Sequence, residues 1–130
     1  MRHRLTLAFP CLILLAACQT WGPTWSEISG ERYTRATVHR RPAIIERIDE
    51  QSAFASHPIR VDPGMRRIVV QGPDPRSLGG GTLQVIELAV EPCKRYYINA
   101  QFENAIDAEW KPVIDHVEAV AGCTVPTAAR

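Results

Sequence analysis

The stretch Arg95-Tyr96-Tyr97-Ile98-Asn99-Ala100-Gln101-Phe102-Glu103 decides the fold class. Tyr96, Ile98, Ala100 and Phe102 alternate with Tyr97, Asn99, Gln101 and Glu103, so a period of two places an apolar face inward and a polar face outward. Outward from it the chain breaks into short runs rich in Val, Ile, Thr, Tyr and Phe, separated by Pro, Gly, Asn and Asp. Seven strands are expected, at 34–40, 43–48, 57–61, 65–71, 83–90, 95–103 and 112–120, which is an all-β, Ig-like or transthyretin-like sandwich. Asp62-Pro63-Gly64 places proline where φ near −65° is wanted and glycine where φ must be positive, a type II turn ahead of the strand from Met65. Leu83 to Val90 is apolar apart from Gln84 and Glu87 and reads as a strand central in its sheet.

Near the C-terminus two periods fit. Ile106, Trp110, Val113, Ile114, Val117 and Val120 recur at helical spacing, with Pro112 able to start a helix and Gly122 able to end one. The β-branched Val113, Ile114 and Val117 favour a strand, as does the need to return Cys123 beside Cys93.

At the other end, Met1-Arg2-His3-Arg4 precedes an uncharged run from Leu5 to Ala17 that is about half the length a bilayer-spanning helix needs. It ends in Leu15-Ala16-Ala17-Cys18, which resembles the lipobox of bacterial lipoproteins. That resemblance implies removal of a signal peptide, residues 1–17, and acylation of Cys18, with palmitate-type chains partnering the membrane. Gln19 and Thr20, with no Asp after the cysteine, imply the outer membrane facing the periplasm. Residues 18–31, rich in turn formers, read as a tether, 32–124 as the domain and 125–130 as a tail. Trp21 and Trp25 are suited either to the headgroup layer or to packing back on the domain.

Once this boundary is drawn, Cys11 leaves with the signal and Cys18 carries lipid. Cys93 and Cys123 remain as the thiols of an oxidising compartment and are expected to pair. The alternative, a metal site, lacks a CxxC or CxxH companion, and His39, His57 and His116 are scattered. Cleavage after Ala17 shortens 130 residues to 113, and losing Arg2 and Arg4 from fifteen basic side chains leaves one fewer than the fourteen acidic ones. A near-neutral chain without like-charge blocks offers no footprint for nucleic acid.

Catalytic constellations are thin. Asp115 and His116 are neighbours, and on a regular strand neighbours face opposite ways. Ser52, Ser56 and Ser77 have no GxSxG setting, and Gly79-Gly80-Gly81, in the loop Gly72 to Thr82, lacks the Lys-Ser/Thr of a phosphate cradle. Glu46, Asp49 and Glu50 lack the spacing of a calcium loop. No catalytic residue, metal or cofactor is therefore expected. Tyr33, Tyr97 and Trp110 are the candidate ligand-facing aromatics of an alternative reading, a peptidoglycan- or carbohydrate-binding module.

The order Ile48-Asp49, then Val61-Asp62-Pro63-Gly64-Met65-Arg66-Arg67-Ile68-Val69-Val70, then Val90-Glu91-Pro92-Cys93-Lys94-Arg95-Tyr96-Tyr97-Ile98 resembles the PEGA-like and carboxypeptidase-regulatory-like sandwiches of bacterial envelope proteins. Trp110-Lys111-Pro112-Val113 and Cys123 are similar to the ends of small envelope lipoproteins. The resemblance implies fold turns, no catalytic residue, and a binding or scaffolding role with an envelope protein as partner. Its first hairpin often carries glycine after the aspartate, where this chain has Glu50.

Overall fold

A computed structural model describes residues 24–30, 36–53, 58–74 and 80–125. Among them the chain is all-β, nine strands in two sheets without a helix: β1 Ser26–Ser29, β2 Arg40–Pro42, β3 Ile44–Ile48, β4 Gln51–Ser52, β5 Ile59–Val61, β6 Gly64–Pro73, β7 Gly80–Val90, β8 Lys94–Phe102 and β9 Trp110–Ala119. No helix of the described residues is long and apolar enough to cross a membrane. The first sheet is built on β8. Antiparallel β9 lines one side of it, while parallel β1 and antiparallel β2 share the other in tandem, and β5 pairs the far side of β1. The second sheet runs β4-β3-β6-β7, antiparallel throughout.

The alternation in β8 does what its sequence requires. Tyr96, Ile98, Ala100 and Phe102 enter one core with Ile28, Ile45, Ile48, Val61, Ile68, Val70, Val90 and Trp110, drawn from both sheets. Gly64 takes φ +120°, the positive value that the Pro63-Gly64 turn demands. The segment expected at 112–120 is strand as far as Ala119, and the β3–β4 turn is closed by Asp49 and Glu50, both in the left-handed region at φ 46° and 69°. Positive φ at both central residues matches the twist of a two-residue hairpin. Asp49 secures the turn by accepting the Arg67 amide at 2.9 Å and the Arg66 guanidinium at 2.8 Å.

Four expectations need correcting. The tether reading of 18–31 fails at Ser26–Ser29, which form a buried strand between β8 and β5. Ile28 is a core residue, and the Ser26 hydroxyl donates to the Glu91 carbonyl while accepting the Lys94 amide, so this short polar run is held by partners far away in sequence. Of the strand expected at 34–40, the described residues 36–39 are not strand and Arg40 is, because His39 adopts φ 59° in a turn that returns the Arg40 amide to Thr37. The loop from Gly72 to Thr82 is shorter than expected, since β6 and β7 pair as far as Pro73 and Gly80. Finally, β7 is the last strand of its sheet and not a central one. Its apolarity splits, with Ile86, Leu88 and Val90 facing the core while Leu83 and Val85 face outward. Residues 1–23, 31–35, 54–57, 75–79 and 126–130, and with them the signal segment, Cys18, Trp21, Tyr33, His57 and the tail, lie outside the described residues.

Candidate functional site

Among the described residues, the outer face of the first sheet carries a dense polar set assembled from four strands. Arg95 on β8 donates to Glu27 of β1 at 2.5 Å and to Glu118 of β9 at 2.9 Å, and the Tyr97 hydroxyl donates to Glu118 at 2.7 Å. Hydrogen bonds with the Tyr97 hydroxyl and with Glu27 raise the Arg95 pKa further above its usual range. A register shift opposite Tyr97 and Ile98 leaves Asp115 as an extra residue on β9. Such a bulge turns two successive side chains to one side. Asp115 thereby bonds Arg40 and Asn99 while His116 stacks on Tyr97 with ring centroids 6.0 Å apart. The regular-strand expectation, that Asp115 and His116 face opposite ways, fails here for that reason. The charges satisfy one another across β1, β2, β8 and β9, and they clamp strands together.

Two of the aromatics singled out as ligand-facing are buried. Tyr97 is 6% exposed under His116, and Trp110, 7% exposed, packs on Phe102 and over Gly72 with its indole Nε1 donating to Thr82 Oγ1 at 2.9 Å. A Cβ on Gly72 would lie 2.4 Å from that ring, so Gly72 is where the indole fits. Trp25 also packs back, with the Arg60 guanidinium 5.1 Å over its ring. A carbohydrate platform built on Tyr97 and Trp110 is thus not presented. Trp110 closes an end of the apolar core, whereas Tyr97 lies on the outer face, covered by His116 and tied to Glu118 and Arg95.

Cys93 and Cys123 form a disulfide with Cα atoms 5.4 Å apart, thirty residues apart in the chain. Cys93 sits at φ 58° in the β7–β8 turn, donates its amide to the Trp25 carbonyl and accepts that of Val120. The bond therefore ties that turn to the exit of β9 and the start of β1. A cleft of about 270 Å³ opens between the β3–β4 hairpin and β5, lined by Asp49, Arg60, Asp62 and Arg66 among others. The Arg66 side chain there is spent on Asp49 and on the carbonyls of Asp62 and Pro63. Among the described residues no three His, Cys, Asp or Glu side chains converge as a metal site would require.

The surface left with unsatisfied potential is the rim and outer face of the second sheet. Cross-strand rows place Ile44, Gln71 and Leu83 side by side, with Val69 beside Val85 in the next row. Leu83 is 51% and Val85 45% exposed, and Ile44 and Met65 are exposed as well. Along the rim runs β7, eleven residues paired on one side by β6, with no strand on its other side among the described residues. Unpaired edges invite pairing with another chain, and proteins blunt them with short length, lysine, proline, bulges or charges. The other edges here follow that practice: β4 and β5 have two and three residues, and β9 carries Lys111, Pro112, its bulge at Asp115, and His116 and Glu118. On β7 there is no proline, no basic residue and one charge, Glu87; an irregularity sits at its start, where Gly80 and Leu83 oppose Pro73 and Gln71 and leave an extra residue on β7, and from Leu83 to Val90 the pairing is regular. The sequence hid this, because a long apolar run is equally the signature of a buried central strand.

Comparison of the chain with known protein families, curated proteins and solved structures yields no match.

Proposed function

We propose that the chain is a lipid-anchored protein of the bacterial cell envelope, built on an Ig-like or transthyretin-like sandwich. It acts without catalysis, as a binding or scaffolding accessory that docks through β7 and the apolar face beside it. The observation that carries this reading is the contrast between β7, regular from Leu83 to Val90 with a single charge, and β9, of similar length and broken by lysine, proline, a mid-strand bulge and ionisable side chains. Edge addition supplies main-chain hydrogen bonds along a strand, with exposed side chains such as Leu83 and Val85 adding selectivity. An exposed apolar patch on an otherwise ordinary surface supports the same reading. The lipobox-like Leu15 to Cys18 and the Cys93–Cys123 bond agree with an oxidising envelope compartment. The turn at Asp62 to Gly64 and the one before β8 keep the resemblance to PEGA-like and carboxypeptidase-regulatory-like domains within the proposal.

The incorporation of Ser26–Ser29 into the fold shortens the tether. Seven residues lie between Cys18 and Ser26, and eight steps of at most about 3.5 Å each keep the start of β1 within about 28 Å of the acylated cysteine. The body would therefore work close to the bilayer, at the height of other membrane-attached components.

The test has two parts. Mass spectrometry of the N-terminal peptide from the native envelope should show acylated Cys18, and Cys18→Ala should release the protein from the membrane fraction. A photo-reactive residue at Leu83 should then give crosslinked products in intact cells, while one at Val117 on β9 should give none. Unmodified Cys18, or equal crosslinking at the two positions, contradicts the reading.

A further inference from the structure

We infer that the sandwich stands on end over the bilayer: the end that carries the Cys93–Cys123 bond rests against the headgroup layer, and the Trp110 end points away. This rests on the lipid-anchor reading and adds which surface of the body meets lipid. The long strands β6, β7, β8 and β9 run between two shared ends. Close to the disulfide lie the starts of β1, β6 and β8 and the exits of β7 and β9, since Gly64 pairs with Val90, Lys94 with Ala119 and Glu27 with Arg95. At the remote end Trp110 pairs with Phe102 and packs over Gly72, beside the place where Pro73 meets Gly80.

The segment from Cys18 enters the fold at the disulfide end. The Trp25 carbonyl accepts the Cys93 amide, and the Ser26 hydroxyl donates to the carbonyl of Glu91, the residue after β7. From there the remote end is ten steps away along Gly80–Val90, about 34 Å at about 3.4 Å per residue. The eight steps from Cys18 to Ser26 span at most about 28 Å. Acyl chains hold their cysteine at the membrane surface, so the inverted posture, with the Trp110 end on lipid, is out of reach.

That limit decides between the apolar side chains exposed at the two ends. Val38 and Ile106 are the more exposed, but they stand at the remote end, where Gln101 and Phe102 bond the carbonyls of Val38 and His39. Met65, first in β6 after the Pro63-Gly64 turn, and Val125, two residues past Cys123, are exposed at the end the connection reaches. Asp62, Glu91 and Lys94 beside them carry both signs, which suits contact with hydrated headgroups rather than insertion into hydrocarbon. A posture flat on the second sheet would hide Leu83 and Val85, and one flat on the first would press the Arg95, Glu27 and Glu118 network against lipid. Standing on end, the molecule keeps β7 along the membrane normal with its free edge open sideways.

The experiment uses the full chain, expressed with its signal segment, purified in its acylated form and placed in phosphatidylcholine vesicles that contain a lipid with a nitroxide on its headgroup. Asp62→Cys and Met65→Cys mark the disulfide end, Val85→Cys the outer face and Glu103→Cys the remote end; each carries a thiol-linked fluorophore with the native disulfide intact. The nitroxide lipid should remove most of the emission at positions 62 and 65 and leave that at 103 unchanged. Quenching at 103 equal to that at 62 and 65, or strongest at 85, overturns the upright posture. The mass of the same sample tells the two failures apart. With Cys18 acylated, such a pattern overturns the posture and leaves the anchor standing, whereas an unmodified Cys18 in protein from the native envelope overturns both.

Discussion

Strands β7 and β9 differ by one residue in length and each ends a sheet, yet they present opposite surfaces. Along β9 a proline, a lysine, a bulge and a run of ionisable side chains make the free edge a poor template, and the outward face behind it is knitted by Arg95 to Glu27 and Glu118. Along β7 there is no proline or lysine, a single charge, and an irregularity only at its start between Gly80 and Leu83, and the outward face carries half-exposed leucine and valine. One sheet has spent its polar groups on holding itself together; the other has left apolar area and backbone groups uncommitted. The difference separates an edge whose backbone groups are guarded from one whose backbone groups are left open to pairing.

The largest expected effect breaks the finished side. Arg95→Met strands Glu27 in a buried position and should cost about 3–5 kcal/mol, seen as a lowered urea midpoint. Adding Glu27→Gln should recover part of that loss. The matching change on the other side, Glu87→Met, should alter stability by less than about 0.5 kcal/mol. Next in size is the disulfide. Replacing Cys93 and Cys123 together by alanine should lower unfolding free energy by about 3–4 kcal/mol, and reductant should reproduce the loss in the unaltered chain. The effect should fall on β9, whose exit the bond clamps, as faster amide exchange there.

How much of this was legible in the sequence differs between the same two regions. The alternation from Tyr96 to Phe102 announced β8, and Pro63-Gly64 announced the turn into β6, because both signals are local: a side-chain period and a backbone dihedral. Pairing of Cys93 with Cys123 followed from compartment and elimination. Strand β1 was missed since Ser-Glu-Ile-Ser carries little strand propensity, and its place is set by Arg95, Glu91 and Lys94, some 65 to 68 residues away. The bulge at Asp115 was equally invisible, being a property of register and not of composition. The exposed edge at β7 was misread because apolarity alone does not say whether a strand is covered by the protein or by something else. Tyr97 and Trp110 are misplaced for the complementary reason: an aromatic side chain serves a core, as Trp110 does, or a polar cluster that clamps strands, as Tyr97 does, as well as a ligand.

Smaller changes sharpen the contrast. Gly72→Ala would force a methyl group against the Trp110 indole, which links the tip of β6 to the start of β9, and should cost about 1–3 kcal/mol with a changed near-ultraviolet dichroism signal. The smallest effect concerns Asp49. Hydrogen bonds from Arg66 and the Arg67 amide lower its pKa below the ordinary 3.8, so the stability it adds is present above that value and is lost as pH falls through the lowered one. The carboxylate is 41% exposed, which screens the contribution to about 0.5 kcal/mol. Asp49→Asn should therefore flatten only the acid limb of the stability profile and leave neutral pH nearly unchanged apart from that small loss.

Amide hydrogen exchange on the membrane-bound chain tests the difference between the two edges most directly. The account requires the outward-facing amides of Gly80–Val90 to exchange slowly in the native membrane and to become fast in Val85→Lys, while those of Trp110–Ala119 stay the same in both. Fast exchange along the outer edge of β7 in the unaltered, membrane-bound protein would contradict it.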